Sequence, residues 1–299
     1  MSLLRPAKLF LTISAVLVAA GLVLLVKPGP VLSIDFTGGT LIELAVPEET
    51  TKDALSTALA TVPGETPIGN VALSKTKDGS FLLRMRDLSN EEHLALVAHL
   101  ESEIGDITER QFTTIGPTVG ATLKKRAVWA LVIAAIAIVL YIAFAFRKIP
   151  RKLSPWRFGI IAVITLLHDI IITVGIFVLI SQTTSFEFDT LFVTALLTIL
   201  GYSVNDTIVI FDRIRDNLAN QERGEDFSAI AERSLQQSIP RSINTSVSTL
   251  IMLFSLYFLG SESVRWFVLT LIVGAAIGTY SSIFLATPLL VYWKKNPQR

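Results

Sequence analysis

Cysteine is absent from the 299 residues, which excludes disulfides, thiolate metal sites and cysteine nucleophiles. Only three histidines occur, His93, His99 and His168, and no H-E-x-x-H or C-x-x-C pattern is present. No metal or other cofactor is therefore expected. Charge is also scarce: 17% of residues are charged, against about 25% in soluble domains. The net charge of +1 creates no field that would recruit nucleic acid.

What the chain has in excess is apolar sequence, 51% of it, gathered into long runs that belong in lipid. The first, Leu9 to Val26, follows Arg5 and Lys8 as a signal peptide would. It is about 18 residues long and lacks an A-x-A site, so it reads as an uncleaved anchor. Five more runs meet the ~20-residue spanning criterion: 127–146, 157–180, 188–211, 242–259 and 264–292. The last is long enough to tilt.

Basic residues orient these spans. Arg147, Lys148, Arg151, Lys152 and Arg157 flank the connection between spans two and three. Arg213, Arg215, Arg223, Arg233 and Arg241 mark the one between four and five, and Lys294, Lys295 and Arg299 close the chain. The opposite loops, Ser181–Glu187 and Gly260–Val264, carry none. Lys27, Lys124, Lys125, Arg126 and Arg265 run against this pattern, but long translocated domains escape the rule and the single Arg265 does not outweigh the cytoplasmic clusters. The expectation is a multi-pass protein of the lipid bilayer with both termini cytoplasmic.

Between Lys27 and Arg126 the pattern changes to short alternating segments with turn residues. Leu41–Val46 reads as a strand and Thr51–Leu59 as a short helix. Val71–Lys75 and Phe81–Arg86 flank a Lys77-Asp78-Gly79 hairpin turn. Ser89 with Glu92 forms a capping box opening a helix to Ile104, with Leu94, Val97 and Leu100 facing inward. A last strand covers Glu109–Thr114. The fold class expected is a polytopic α-helical membrane protein with six transmembrane helices and one small α+β, ferredoxin-like extracytoplasmic domain. Residues 1–27 hold the cytoplasmic N-terminus and span one, 28–126 the external domain, and 127–299 spans two to six. The cytoplasmic loop 212–240 has Leu218, Phe227, Ile230 and Leu235 as apolar points, and suits one or two amphipathic helices near the membrane surface or a docking site for a cytosolic partner.

Charges and hydroxyls inside the spans carry most of the functional information, since an unpartnered charge at a helix centre costs at least ~2.5 kcal/mol. In span four, Asp206 lies in the run Gly201-Tyr202-Ser203-Val204-Asn205-Asp206-Thr207, with Thr198, Tyr202, Asn205 and Val209 at helical spacing on a face expected to turn away from lipid. Span five opens with Arg241 and carries the hydroxyl stripe Ser242, Thr245, Ser246 and Thr249, suited to bonding across helices or lining a hydrated path. Span three holds His168 and Asp169, either of which could exchange protons near neutral pH or satisfy neighbouring polar groups. Gly274, Gly278 and Ser282 in span six form a small-xxx-small face.

An ordered set of motifs runs through the whole chain. Ile34-Asp35-Phe36-Thr37-Gly38-Gly39-Thr40 follows span one, Gly116-Pro117-Thr118-Val119-Gly120 precedes span two, and Leu167-His168-Asp169 lies in span three. Gly201–Arg215, Arg241–Ser246 and Gly278–Ser282 complete the set. In these residues the chain resembles the SecF family, the smaller partners in SecD–SecF complexes and relatives of the resistance–nodulation–division transporters. The resemblance implies an accessory role in bacterial protein export at the inner (plasma) membrane, with a SecD-like membrane subunit, the Sec translocon and the exported polypeptide as partners. It also implies no enzymatic chemistry and a proton path through Asp206 and Arg241, with protons, or sodium ions, as the coupling ion. His168, Asp169, Tyr202, Ser203, Asn205, Ser242, Thr245, Ser246 and Thr249 would support that path. Movement would reach the external domain through span one and the Gly116-Pro117 junction. Two other readings share the intramembrane features: a small-molecule or lipid exporter of the same superfamily, and a passive scaffold in which Asp206 and Arg241 are replaceable.

Overall fold

The computed structural model describes residues 4, 6–62, 68–69, 71–76, 79–147, 154–221 and 225–295. Arg5, Lys77, Asp78, Lys148, Arg151, Lys152, Arg223 and Arg299 lie outside them, as do the side chains of Lys294 and Lys295. Two compact units make up the chain: Met1–Pro30, Trp129–Gln182 and Leu191–Arg299 form one, Val31–Val128 and Thr183–Thr190 the other.

The second unit contains α2 (Ile34–Thr37), β1 (Gly39–Ala45), α3 (Lys52–Ala60), β2 (Ala72–Lys75), β3 (Phe81–Met85), α4 (Asn90–Ile104) and β4 (Thr108–Ile115). The strands form one antiparallel sheet ordered β2-β3-β1-β4, the ferredoxin-like arrangement. Alternation sets its two faces: Ile42, Leu44, Phe81, Leu83 and Met85 turn toward Leu55, Leu59, Leu96 and Leu100 of the two longer helices. Leu41, Glu43, Leu82 and Arg84 lie on the other face.

The capping box forms as expected, with Ser89 Oγ accepting from Glu92 N–H and Glu92 Oε2 from Ser89 N–H. The inward register of α4 is corrected, however. Leu94 is 59% exposed, while His93, Leu96 and Leu100 are buried. His93 is a good inward residue because its ring stacks on Phe112 with centroids 3.8 Å apart and Nε2 reaches Glu109 Oε2 at 2.6 Å. A polar aromatic thus took the place that hydrophobicity alone gave to leucine.

Two glycine motifs interlock at the base of this unit. Gly38 has φ +75°, and a Cβ there would stand 2.7 Å from Pro117 Cα. A Cβ on Gly120 would stand 2.8 Å from Gly38 N. Only hydrogen fits at either position, since real Cβ atoms do not approach so closely.

The other unit is built from α1 (Ala7–Val26), most of α5 (Pro117–Ala145), α6 (Pro155–Thr183) and α7 (Thr190–Ala219), with α8 (Phe227–Leu259), α9 (Arg265–Ser281) and α10 (Thr287–Lys295). Residues Ser282–Ala286 form a π-helical turn that joins α9 to α10. Among the described residues six helices are long and apolar enough to cross a membrane. α5 begins ten residues before the expected apolar run, because Pro117 suits the first turn of a helix and the polar stretch to Arg126 continues it. The segment 212–240 also differs from expectation. Asp212–Ala219 continues α7, and residues from Phe227 continue without a break through Pro240 into span five, so neither is a separate surface helix. Ile214 and Leu218 pack there with Phe227, Ile230 and Leu235, and Asn217 Nδ2 donates to Ser234 Oγ at 2.8 Å.

Candidate functional site

Asp206 is 4% exposed on the packed face of α7, and its Oδ2 has no hydrogen-bond partner. Ser242 Oγ lies beside it, also buried, outside hydrogen-bond geometry. Arg241 is near enough to act on the carboxylate electrostatically but forms no ion pair with it, and its side chain is exposed. In this conformation the two charges are neighbours that have not joined.

The face of α7 that is buried differs from the one read from spacing. Ile199, Ser203, Asp206, Thr207 and Ile210 face inward, whereas Thr198 and Asn205 are exposed and Tyr202 and Val209 half-buried. Ser203 and Thr207 bury their hydroxyls against partners on other helices, Asp169 and Ser282. The hydroxyl stripe of α8 also divides: Ser242 and Ser246 are buried, Thr249 half-buried and Thr245 exposed. Ser246 Oγ accepts from Tyr202 OH at 3.1 Å and lies 2.7 Å from Thr279 Oγ1, so α7, α8 and α9 meet there.

Asp169 sits in a different environment. Its Oδ2 accepts from Ser203 Oγ at 2.5 Å and Ser281 Oγ at 2.9 Å, and its Oδ1 lies 2.9 Å from His168 Nδ1. His168 Nε2 is buried without a partner. The carboxylate therefore ties α6 to α7 and α9. Sequence spacing missed Ser281, Ser282 and Thr279 as members of this polar core; the GTYSS stretch was the available signal. The small-residue face of span six finds its partner in α7. A Cβ on Gly274 would meet the Ile199 side chain, one on Gly278 would stand 2.9 Å from Ser203 Cβ, and Ser282 Oγ lies 2.9 Å from Thr207 Oγ1. Among the described residues no three His, Asp or Glu side chains gather in a way that could hold a metal.

A family profile described as "Protein export membrane protein SecD/SecF, C-terminal" matches residues 96–296, and a second, "SecD/SecF GG Motif", matches residues 23–46. The chain belongs to the SecD/SecF family. It is 39% identical over 295 residues to the protein translocase subunit SecF of Thermobaculum terrenum, covering 96% of this chain and 92% of that one. It is 36% identical over 267 residues to the protein translocase subunit SecDF of Thermus thermophilus, covering 88% of this chain and 34% of that longer protein. The crystal structure of SecDF, a translocon-associated membrane protein from Thermus thermophilus, superposes with a TM-score of 0.84 at 33% identity, over 99% of this chain and 39% of that one. The GG motif of the SecD/SecF family thus coincides with the turn that packs on Pro117, and its C-terminal region with the spans that carry both buried aspartates.

Proposed function

We propose that the chain works with a SecD-like membrane subunit in the bacterial inner membrane, using movement of protons to assist polypeptide export beside the Sec translocon. The observation that carries the proton part is Asp206: an acid enclosed in a span, with one oxygen lacking any hydrogen-bond partner and a cation close but unpaired. A group that only held helices together would have its oxygens satisfied, as those of Asp169 are. Facing Arg241, the carboxylate keeps its charge; turned from it into a dry surround, it takes up a proton. Alternation between these states, each open to one side of the membrane, converts proton entry into helix movement.

The SecD-like partner is supported by the polar residues left exposed when this chain stands alone. Thr198 and Asn205 of α7 and Arg241, Asn244, Thr245 and Ser248 of α8 would be costly against lipid. A half-transporter of six spans that buries this face against a second half resolves the cost. Both termini are assigned to the cytoplasm from the lysine and arginine distribution, which puts the α+β unit outside.

The test is export of a reporter protein from sealed vesicles with and without a proton gradient, at matched levels of assembled complex. Asp206→Asn keeps shape and hydrogen bonding but removes the charge change, so gradient-stimulated export should fall to the gradient-free level. Arg241→Met should do the same, and the double variant should be no worse than either single one. Full gradient response in Asp206→Asn would overturn the assignment. Replacing protons by sodium in the same vesicles distinguishes the coupling ion.

A further inference from the structure

The segment joining α6 to α7, residues 183–190, is part of the α+β unit. Ser33 N–H donates to Phe188 O at 3.0 Å and Phe188 N–H to Val31 O at 2.8 Å, which sets Leu32 opposite Phe188 in a parallel bridge. Arg84, on the sheet face away from α3 and α4, pairs with Glu187. Asp35 supplies the last tie. One of its oxygens accepts from both the backbone N–H of Thr190, at 2.9 Å, and Thr190 Oγ1, at 2.7 Å.

Thr190 is the first residue of α7, so this carboxylate satisfies an N–H that the helix cannot bond internally and sets a negative charge at the positive end of the helix dipole. Asp35 is itself held in place. It lies in the first turn of α2, where Ser33 Oγ accepts its backbone N–H at 3.2 Å, and α2 is followed by Gly38, the glycine closed in by Pro117. From Thr190 the helix runs unbroken to Asp206, about 24 Å along its axis at 1.5 Å per residue.

We propose that Asp35 is a positioning residue that fastens α7 to the α+β unit, so that displacement of the helix bearing Asp206 is delivered to that unit directly, through a bond that stays closed during the working cycle. This rests on the reading of Asp206 as the proton site. It adds a third route to the covalent ones through α1 and α5. Charged caps and paired backbone bonds are among the stronger polar contacts, and a continuous helix is a rigid element that can carry axial movement.

The absence of native cysteine allows a clean test. Leu32→Cys and Phe188→Cys are introduced together, with and without Asp35→Ala, and each protein is assayed reduced and oxidised in the vesicle assay. With Asp35 present, oxidation should leave the gradient response within about twofold, because the link is already closed; Asp35→Ala should lose about fivefold or more when reduced and regain most of it on oxidation. Blockade of the Asp35 protein by oxidation, or failure of the disulfide to rescue Asp35→Ala, would overturn the proposal. If Phe188→Cys prevents assembly, Asp35→Asn and Thr190→Val take the place of the pair. Thr190→Val keeps the backbone bond and Asp35→Asn keeps both through its amide oxygen without the charge; each should retain more response than Asp35→Ala, and a loss as deep as that of Asp35→Ala would count against the link. A reference protein that ignores the gradient overturns the proton reading alone, and gradient-independent export of the same proteins then decides the link.

Discussion

Ser203 stands between two aspartates, bonded to Asp169 and three residues before Asp206, and the surroundings of the two acids give them different work. Asp169 gathers two hydroxyls and an imidazole from three helices. Its removal strands those donors in a dry interior, so Asp169→Ala should cost about 3 kcal/mol of stability, while Asp206→Asn, which exchanges an oxygen that nothing bonds for an amide nitrogen of similar size, should cost below about 1 kcal/mol. Thermal unfolding of the purified proteins in detergent measures both. Equal destabilisation would mean that Asp206 is a structural acid. Both aspartates were visible in the sequence as intramembrane charges, but their contrast was not. It depends on Ser281, which comes from a helix more than a hundred residues away and leaves no local mark beside Asp169.

At the scale of elements, the loop that carries Glu187 responds to pH. Burial pushes the Glu187 carboxyl above its ordinary range, the Arg84 guanidinium beside it pulls the other way, and Asp189 adds a smaller upward push. The folded chain therefore holds this proton more tightly than the unfolded chain does, so ionisation weakens the folded state. The penalty is full above the raised value, fades as pH falls through it, and is gone below the ordinary value of 4.5. Wild type should gain stability relative to Glu187→Gln as pH is lowered from neutrality toward that value; a difference that stays constant across the titration would refute this. The elements themselves were largely legible. The Ser89–Glu92 capping box, the four strands and the apolar cores of the spans all follow from local pattern. Facing was less so: α4 turns a different side inward from the one hydrophobicity suggested, and α7 buries within the chain a second polar face beside the stripe at helical spacing, because His93 and Ser203 find bonding partners that only the assembled fold supplies.

On the scale of the whole molecule, each unit has a hydrophobic core of its own, one around Ile42, Leu83 and Leu96, the other around Phe158, Phe211 and Leu290. Residues 30–115 expressed without the spans should accordingly fold as a soluble α+β domain, with a lower melting temperature than the same unit in the full chain, since Asp35, Arg84 and Leu32 lose the partners supplied by 183–190. Circular dichroism on heating checks both statements, and a disordered chain would refute the first. Six spans and one such domain could be read from hydropathy and alternation. That a short loop far along the chain belongs to the domain could not, because the Asp35 carboxylate bonds Thr190 and the Glu187 carboxylate pairs with Arg84, both far off in sequence.

The match of α9 to α7 has a mechanical consequence. Gly274, Gly278 and Ser282 meet Ile199, Ser203 and Thr207, and the step is four residues on both helices. Two racks with the same pitch engage only at whole teeth. Between seats, the Ile199, Ser203 and Thr207 side chains would ride up onto the α9 backbone with no Cβ gap to receive them; one full pitch on, about 6 Å away, the teeth would mesh again. Sliding between these two helices is therefore a click of fixed stride, and Gly278→Ala, whose Cβ would stand 2.9 Å from Ser203 Cβ, would keep the teeth from seating.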